Sequence, residues 1–225
     1  MHAFIADIHL RPDAAKDAHR FVSWLSHIKA DVEAVYILGD LFDYWYAGME
    51  SRFNEIFTVL QSPKVHVLLG NRDFLLKDAN LPDINIIRSE ETVVIINGVK
   101  VLLAHGHTLT KSDLGFRLLH LFGWPALNVL DKLLPPDLKY LLARFLVKSS
   151  VSIRPSSAVI PEGIEVEKGV DMVICAHLHR YITRPGLIVL PAFFDSSQWL
   201  SLDDSGPVLK TFPKISSPQD LRRAQ

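Results

Sequence analysis

A chain of 225 residues, 48% hydrophobic and 22% charged, is long enough to fold as one globular domain around a sizeable core. Its net charge of −1 removes the electrostatic basis for nucleic-acid binding, which needs a basic stripe, so no nucleic acid is expected as a partner. A single cysteine, Cys175, rules out an internal disulfide framework, and no apolar run approaches the roughly 20 residues of a membrane-spanning helix.

The first apolar run, His2 to Ala6, reads as a strand and ends in Asp7-Ile8-His9. No leader with a basic start and a longer apolar stretch comes before it, so a cytoplasmic location is the expectation. Asp13 is placed to cap a helix in which Ala14, Ala18, Phe21, Val22, Leu25 and Ile28 recur at helical spacing. Val32 to Leu38 is a second strand run and ends in Gly39-Asp40. A helix after Ser51 buries Phe53, Ile56, Phe57 and Leu60, and the next strand run, Val65 to Leu69, ends in Gly70-Asn71. Asn97-Gly98 between Thr92–Ile96 and Val99–Leu103 is a strong hairpin signal.

The second arm of that hairpin leads into Ala104-His105-Gly106-His107, and Asp171 to Cys175 leads into Ala176-His177-Leu178-His179. Cys175, inside an apolar run, reads as a buried small hydrophobe. Further strands are predicted near 186–190, 198–202 and 206–212, and the proline-containing polar stretch 213–225 is expected to fray. Parallel pairing in the first half with antiparallel additions predicts an α/β domain over 1–212, two sheets stacked between helices.

The leucine-rich stretch from Leu114 to Lys148 is broken by Gly123, Pro125, Pro135 and Pro136, which predicts two or three short helices. Asn128, Asp131 and Lys132 share one face, while Leu138, Leu141, Leu142, Phe145 and Leu146 leave the second segment largely apolar. An apolar stripe ordinarily faces a core. The sharper reading is a helical insertion over the functional site, holding an acyl group or touching a membrane surface, since amphipathic basic helices lie in headgroup regions.

Taken singly, Asp-x-His is a chance pattern, and Gly-Asp and Gly-Asn are ordinary turn dipeptides. Their recurrence is the signal: five strand runs in succession each end in an oxygen or imidazole ligand. Such donors, without thiolate, suit divalent first-row metals, with manganese the expected ion. A pair of ions can clamp an in-line displacement at phosphorus, which predicts a metal-dependent phosphohydrolase.

The ordered set Asp-x-His, Gly-Asp, Gly-Asn, His-Gly-His and Ala-His-x-His resembles the calcineurin-like metallophosphoesterases. "GDLFDYW" at 39–45, "GNRDFLL" at 70–76 and "HGHTLTKSDLGFRLL" at 105–119 resemble the UDP-2,3-diacylglucosamine diphosphatases of lipid A biosynthesis. The resemblance implies a sandwich of two mixed β-sheets flanked by helices, with a lid-like helical insertion at about 114–148. It also implies two divalent ions, one on Asp7, His9, Asp40 and His179, the other on Asp40, Asn71, His105 and His177. Asp40 would then be the shared, catalytic ligand. The implied reaction cleaves the pyrophosphate bond of this nucleotide-sugar lipid to UMP and 2,3-diacylglucosamine 1-phosphate, by an enzyme peripheral on the inner face of the cytoplasmic membrane.

Arg72 departs from the superfamily, which commonly has His there as an acid for an alkoxide leaving group. Arg cannot protonate a leaving group, because its pKa lies above about 12. It can grip phosphate oxygens in a bidentate way. A phosphate monoester, second pKa about 6, leaves unaided, so Arg72 predicts pyrophosphate cleavage; an ion pair with Asp73 is the competing role. Asn71, Arg72, His177, Asp113, Arg144 and Lys148 are the candidate substrate contacts, with Asp113 matching a headgroup contact of the family. His107 stands where the family commonly has Asp, Ala176 replaces Gly, and 148–163 has no clean Ser-Asn-Lys set. Two alternatives stay open: a metallophosphoesterase acting on a soluble nucleotide or other diphosphate, and a catalytically silent metal-binding scaffold.

Overall fold

Parallel pairing of the apolar runs builds the first sheet. In the computed structural model, which describes residues 1–81, 83–110, 123–152 and 159–212, β1 (His2–Ile5) pairs in parallel with β2 (Ala34–Leu38), and β2 with β3 (Val65–Leu68). A short β4 (Asn85–Ile87) extends the parallel set. On the other side β10 (Gln198–Asp203) and β11 (Gly206–Thr211) add antiparallel, giving the order β11-β10-β1-β2-β3-β4.

The second sheet has the order β5-β6-β7-β9-β8. The predicted hairpin forms its edge: β5 (Glu91–Ile96) and β6 (Val99–Ala104) pair antiparallel with Ile96 opposite Val99. Asn97 and Gly98 both have positive φ (52° and 81°), as a two-residue hairpin turn requires. β6 runs parallel to β7 (Met172–Cys175), and β7 to β9 (Leu187–Val189), while β8 (Ile182–Arg184) pairs antiparallel with β9.

Between the sheets lie Phe4, Tyr36, Leu38, Val101, Leu103, Ile174 and Ile188. α1 (Ala15–Asp31) and α2 (Asn54–Leu60) cover the outer face of the first sheet, α1 through Phe21, Trp24, Leu25 and Ile28. Each such side chain stabilises the fold by roughly 1.5–3 kcal/mol when removed from water. Asp13 does not cap α1: the N-cap is Ala14, with no side-chain capping bond, and Asp13 instead faces Arg11 at 3.8 Å. The outer face of the second sheet is covered by α5 (Ile164–Lys168) through Ile164, next to Leu102, Val173 and the buried Cys175. The last helical turn among the described residues is α6 (Phe193–Ser196).

Among its described residues the leucine-rich stretch supplies two helices, α3 (Trp124–Leu133) and α4 (Pro136–Ser152), joined at Leu134-Pro135. Residues 111–122 and 213–225, with the expectations for Asp113, for the start of the insertion and for the tail, lie outside the described residues. No helix among the described residues is long and apolar enough to cross a membrane.

Candidate metal centre

The parallel strands of both sheets send their C-terminal ends to one edge of the sandwich, and the ligand-type residues sit just past those ends. Asp7 and His9 follow β1, Asp40 follows β2, Asn71 follows β3, His105 follows β6, and His177 and His179 follow β7. The chain turns sharply there. Among the described residues seven non-glycine residues have positive φ, and five of them are Asp7, His9, Asp40, His177 and His179 (50° to 72°). A left-handed backbone at non-glycine residues is unfavourable and concentrates at functional sites.

Glycines open the room. A Cβ on Gly70 would collide with the Asp40 carboxylate, and one on Gly39 would come within 2.6 Å of His105 Nδ1.

The side chains converge. Asp7, His9 and His179 form one group with ligand atoms within 4.8 Å of one another, and Asp7, Asp40 and His105 form a second. Asp7 Oδ1 lies 3.4 Å from His179 Nε2, 3.9 Å from His9 Nε2 and 4.0 Å from His105 Nε2. Asp40 Oδ2 lies 3.6 Å from His105 Nε2. His177 adjoins the second group, its ring 5.2 Å from that of His105. Its backbone N–H donates to Asp7 Oδ2 at 3.1 Å, tying the loop after β7 to the loop after β1.

The donor chemistry fits divalent cations. The Leu38 carbonyl can only accept, so His105 Nδ1 at 2.8 Å carries the ring proton. His105 Nε2 therefore turns its lone pair toward Asn71 Oδ1 at 3.0 Å and the two carboxylates. Lone pairs and anionic oxygens facing one inner space call for positive charge, and a backbone carbonyl fixing the outer nitrogen is the usual support of a metal-bound histidine. Three of the imidazoles are held neutral, as ligands must be. Burial pushes His9 down to about 3, against the pull of Asp40, and burial takes His105 and His177 well below the usual histidine range.

Two carboxylates that sequence reasoning did not place here complete the centre. Asp73, fully buried, accepts backbone N–H bonds from Leu41 (2.8 Å), Phe42 (3.4 Å) and Gly70 (2.7 Å), so it staples the Asp40 loop to the Asn71 loop. Burial and the neighbouring Asp40 raise it to about 7. Asp43, not Asp73, pairs with Arg72: its Oδ1 accepts from Arg72 Nη1 at 2.6 Å and faces His9 Nδ1 at 3.6 Å. The second Asp of "GDLFD" and the Asp of "GNRD" were the available signals. Arg72 also donates its backbone N–H to Asp40 Oδ1 at 2.9 Å, with its Nε 3.7 Å from Asp40 Oδ2. His107 is buried, its ring 5.4 Å from that of His105 and 5.9 Å from that of Trp124.

From Asn71 and Arg72 an apolar groove runs between the loop 43–46 and the α3–α4 hairpin, lined by Trp45, Phe74, Leu127, Leu142 and Leu146 among others. The cavity along it has a volume of about 130 Å³. The structure divides the apolar residues of α4 between two sides. Leu142 and Leu146 line the groove, whereas Leu141 and Phe145 are 60% and 66% exposed on the other side. Arg144 and Lys148 are exposed as well and do not line the groove; Arg144 lies over the Tyr140 ring.

The family model for calcineurin-like phosphoesterase matches residues 3–181. The UDP-2,3-diacylglucosamine hydrolase of Photorhabdus laumondii is 30% identical over 194 residues, 79% of this chain and 81% of the relative. That of Pseudomonas paraeruginosa is 28% identical over 235 residues, 93% of this chain and 98% of the relative. That of Actinobacillus succinogenes is 35% identical over 122 residues, so the match spans about half of each chain, 51% and 52%.

Proposed function

The chain belongs to the calcineurin-like phosphoesterases, metal-dependent phosphohydrolases, and from that premise we propose that it cleaves the pyrophosphate bond of UDP-2,3-diacylglucosamine. The products are UMP and 2,3-diacylglucosamine 1-phosphate. The observation that carries this reading is the apolar groove that opens at Asn71 and Arg72, beside the carboxylate–imidazole cluster. A soluble nucleotide would have no use for it. Relatives that carry the name of this hydrolase support the same reading.

Asp7, His9, Asp40 and His179 would hold one divalent ion, and Asp40, Asn71, His105 and His177 the other, with manganese suited to the mixed oxygen and imidazole donors. Ions bound there supply Lewis acidity at phosphorus and acidify a water molecule to act as nucleophile. Asp7 and Asp40 bring negative charge while the buried imidazoles and Asn71 bring none, so net positive charge is retained for the diphosphate. Asp43 fixes Arg72 by one guanidinium nitrogen. The remaining N–H groups are suited to phosphate oxygens, an electrostatic aid to the transition state. Arg72 donates no proton to the leaving group, and a phosphate monoester needs none.

Leu133, Leu138, Leu141 and Phe145 are exposed on the α3–α4 hairpin near Lys132, Arg144 and Lys148. That mixture supports peripheral contact with an anionic membrane surface, from which the lipid would be drawn. The test is an assay of the purified protein with manganese against the diacylated substrate and a panel of soluble nucleotides and diphosphates. Preference for the lipid, with UMP released, is expected. Efficient turnover of a soluble diphosphate and none of the lipid would replace this reading with a soluble-substrate enzyme.

A further inference from the structure

The groove is apolar along its length but ends in charge. Asp131, near the end of α3, and Lys139, in the first turns of α4, line it together and pair at 3.3 Å, with side chains only 12% and 11% exposed. Both are fastened to one residue of the body. Asp131 accepts the Ala47 backbone N–H at 3.0 Å, and Lys139 donates to the Ala47 carbonyl at 3.2 Å. The tip of the helical hairpin is thereby clasped to the loop that carries Asp43 and Tyr44.

The other end of α3 is at the metal centre. Trp124 stacks on Phe74 with ring centroids 4.2 Å apart and lies 5.9 Å from the His107 ring. Leu127 and Leu130 line the groove between these ends. From Trp124 to Asp131 is seven residues of helix, about 10 Å at roughly 1.5 Å per residue. A hydrocarbon chain laid from the site along this wall meets the ion pair at the tip. Advancing further would force apolar carbon against paired charges or break three polar contacts without replacement, which is costly in a place partly shielded from water.

We propose that the Asp131–Lys139 pair, clasped on Ala47, is the stop that sets how long an acyl chain the groove accepts. The proposal rests on the reading of this groove as the acyl site of a diphosphate substrate. Each methylene held short of the stop gains burial worth about fourfold in apparent affinity; each one beyond it gains nothing.

The test uses the full chain with manganese and a series of diacylated nucleotide-sugar diphosphates that differ only in acyl length. The readout is the ratio of kcat/KM for long chains to that for short ones, with melting temperature followed in parallel. Asp131→Ala combined with Lys139→Ala removes the stop and should raise the ratio by about fourfold for each further methylene admitted. Leu127→Trp fills the groove ahead of the stop and should lower the ratio; it decides the matter if the double variant fails to fold. A ratio unchanged in folded, active variants, or an equal loss at every chain length, would overturn the stop and leave the pair as a fastening of the hairpin. Wild-type protein that hydrolyses no acylated diphosphate would overturn the substrate reading and the stop together, which separates the two failures.

Discussion

Asp43 Oδ1 lies 2.6 Å from Arg72 Nη1, joining the loop after β2 to the loop after β3 at the mouth of the groove. Both side chains are largely covered, at 13% and 10% exposure. An ion pair at that depth fixes geometry as much as it supplies energy. Arg72→Ala should lower turnover of the diphosphate by roughly 100-fold, the scale of losing one preorganised charge donor. Asp43→Ala should lower it less, and the double variant should fall well short of the summed losses, because Asp43 acts through Arg72. A double-mutant cycle on kcat measures this; additive losses would separate the two residues.

Asp73 presents two oxygens to three backbone N–H groups in a fully buried site. Asp73→Asn keeps the size but sets an amide NH2 against those donors. Leaving a buried donor unsatisfied costs about 1–3 kcal/mol. The variant should melt at a lower temperature and bind manganese more weakly, since the Asp40 and Asn71 loops lose their tie. Calorimetric melting with a metal titration checks both; unchanged metal affinity would make Asp73 structural alone.

The metal-free protein should lose stability on acidification. The usual histidine value is 6.5, and burial holds His9 near 3 and takes His105 and His177 well below it. Stability from these groups is present above pH 6.5 and is lost as pH falls toward their folded values, because the unfolded chain takes up protons that the folded one refuses. Asp73 works in the other sense: raised to about 7 from 3.8, it contributes stability at low pH that is lost as pH rises through about 7. Three imidazoles outweigh one carboxyl, each uncompensated proton contributing up to about 1.4 kcal/mol per pH unit. Melting of chelator-treated protein between pH 6.5 and 4.5 is the measurement. A melting temperature that held steady or rose on acidification would contradict neutral buried imidazoles.

The two faces of α4 should respond differently. Leu142→Ser with Leu146→Ser, on the groove side, should raise KM for the diacylated substrate several-fold, since burial of one methylene is worth about 0.8 kcal/mol. A soluble phosphodiester cleaved at the same centre should be nearly unaffected. Leu141→Ser with Phe145→Ser, on the exposed side, should leave KM for detergent-dispersed lipid unchanged and weaken binding to anionic vesicles in a sedimentation assay.

The convergence of carboxylates and imidazoles was legible because each candidate ligand follows an apolar run of strand length, and parallel strands carry their ends to one edge. Asp7, His9, Asp40, Asn71, His105, His177 and His179 needed no long-range information beyond that. Asp43 and Asp73 were harder to read, since each works between loops that meet only in the fold. β4 and β8, at three residues each, are too short to print a pattern. In α4, apolar residues occur on the groove side and the exposed side alike, so periodicity could not tell Leu142 from Leu141. Asp13 has the chemistry of a cap, but the helix begins one residue too late to use it.

The most direct test of a dinuclear hydrolase is to count ions and turnover together. Wild-type protein and Asp40→Asn are equilibrated with limiting manganese, freed of unbound metal, and measured for manganese per chain and for UMP released from the diacylated substrate. Two ions per wild-type chain with metal-dependent turnover, against fewer ions and no turnover in a folded Asp40→Asn, is the predicted result. Full activity of Asp40→Asn at limiting manganese, or wild-type turnover with a single ion, would contradict a shared carboxylate between two metals.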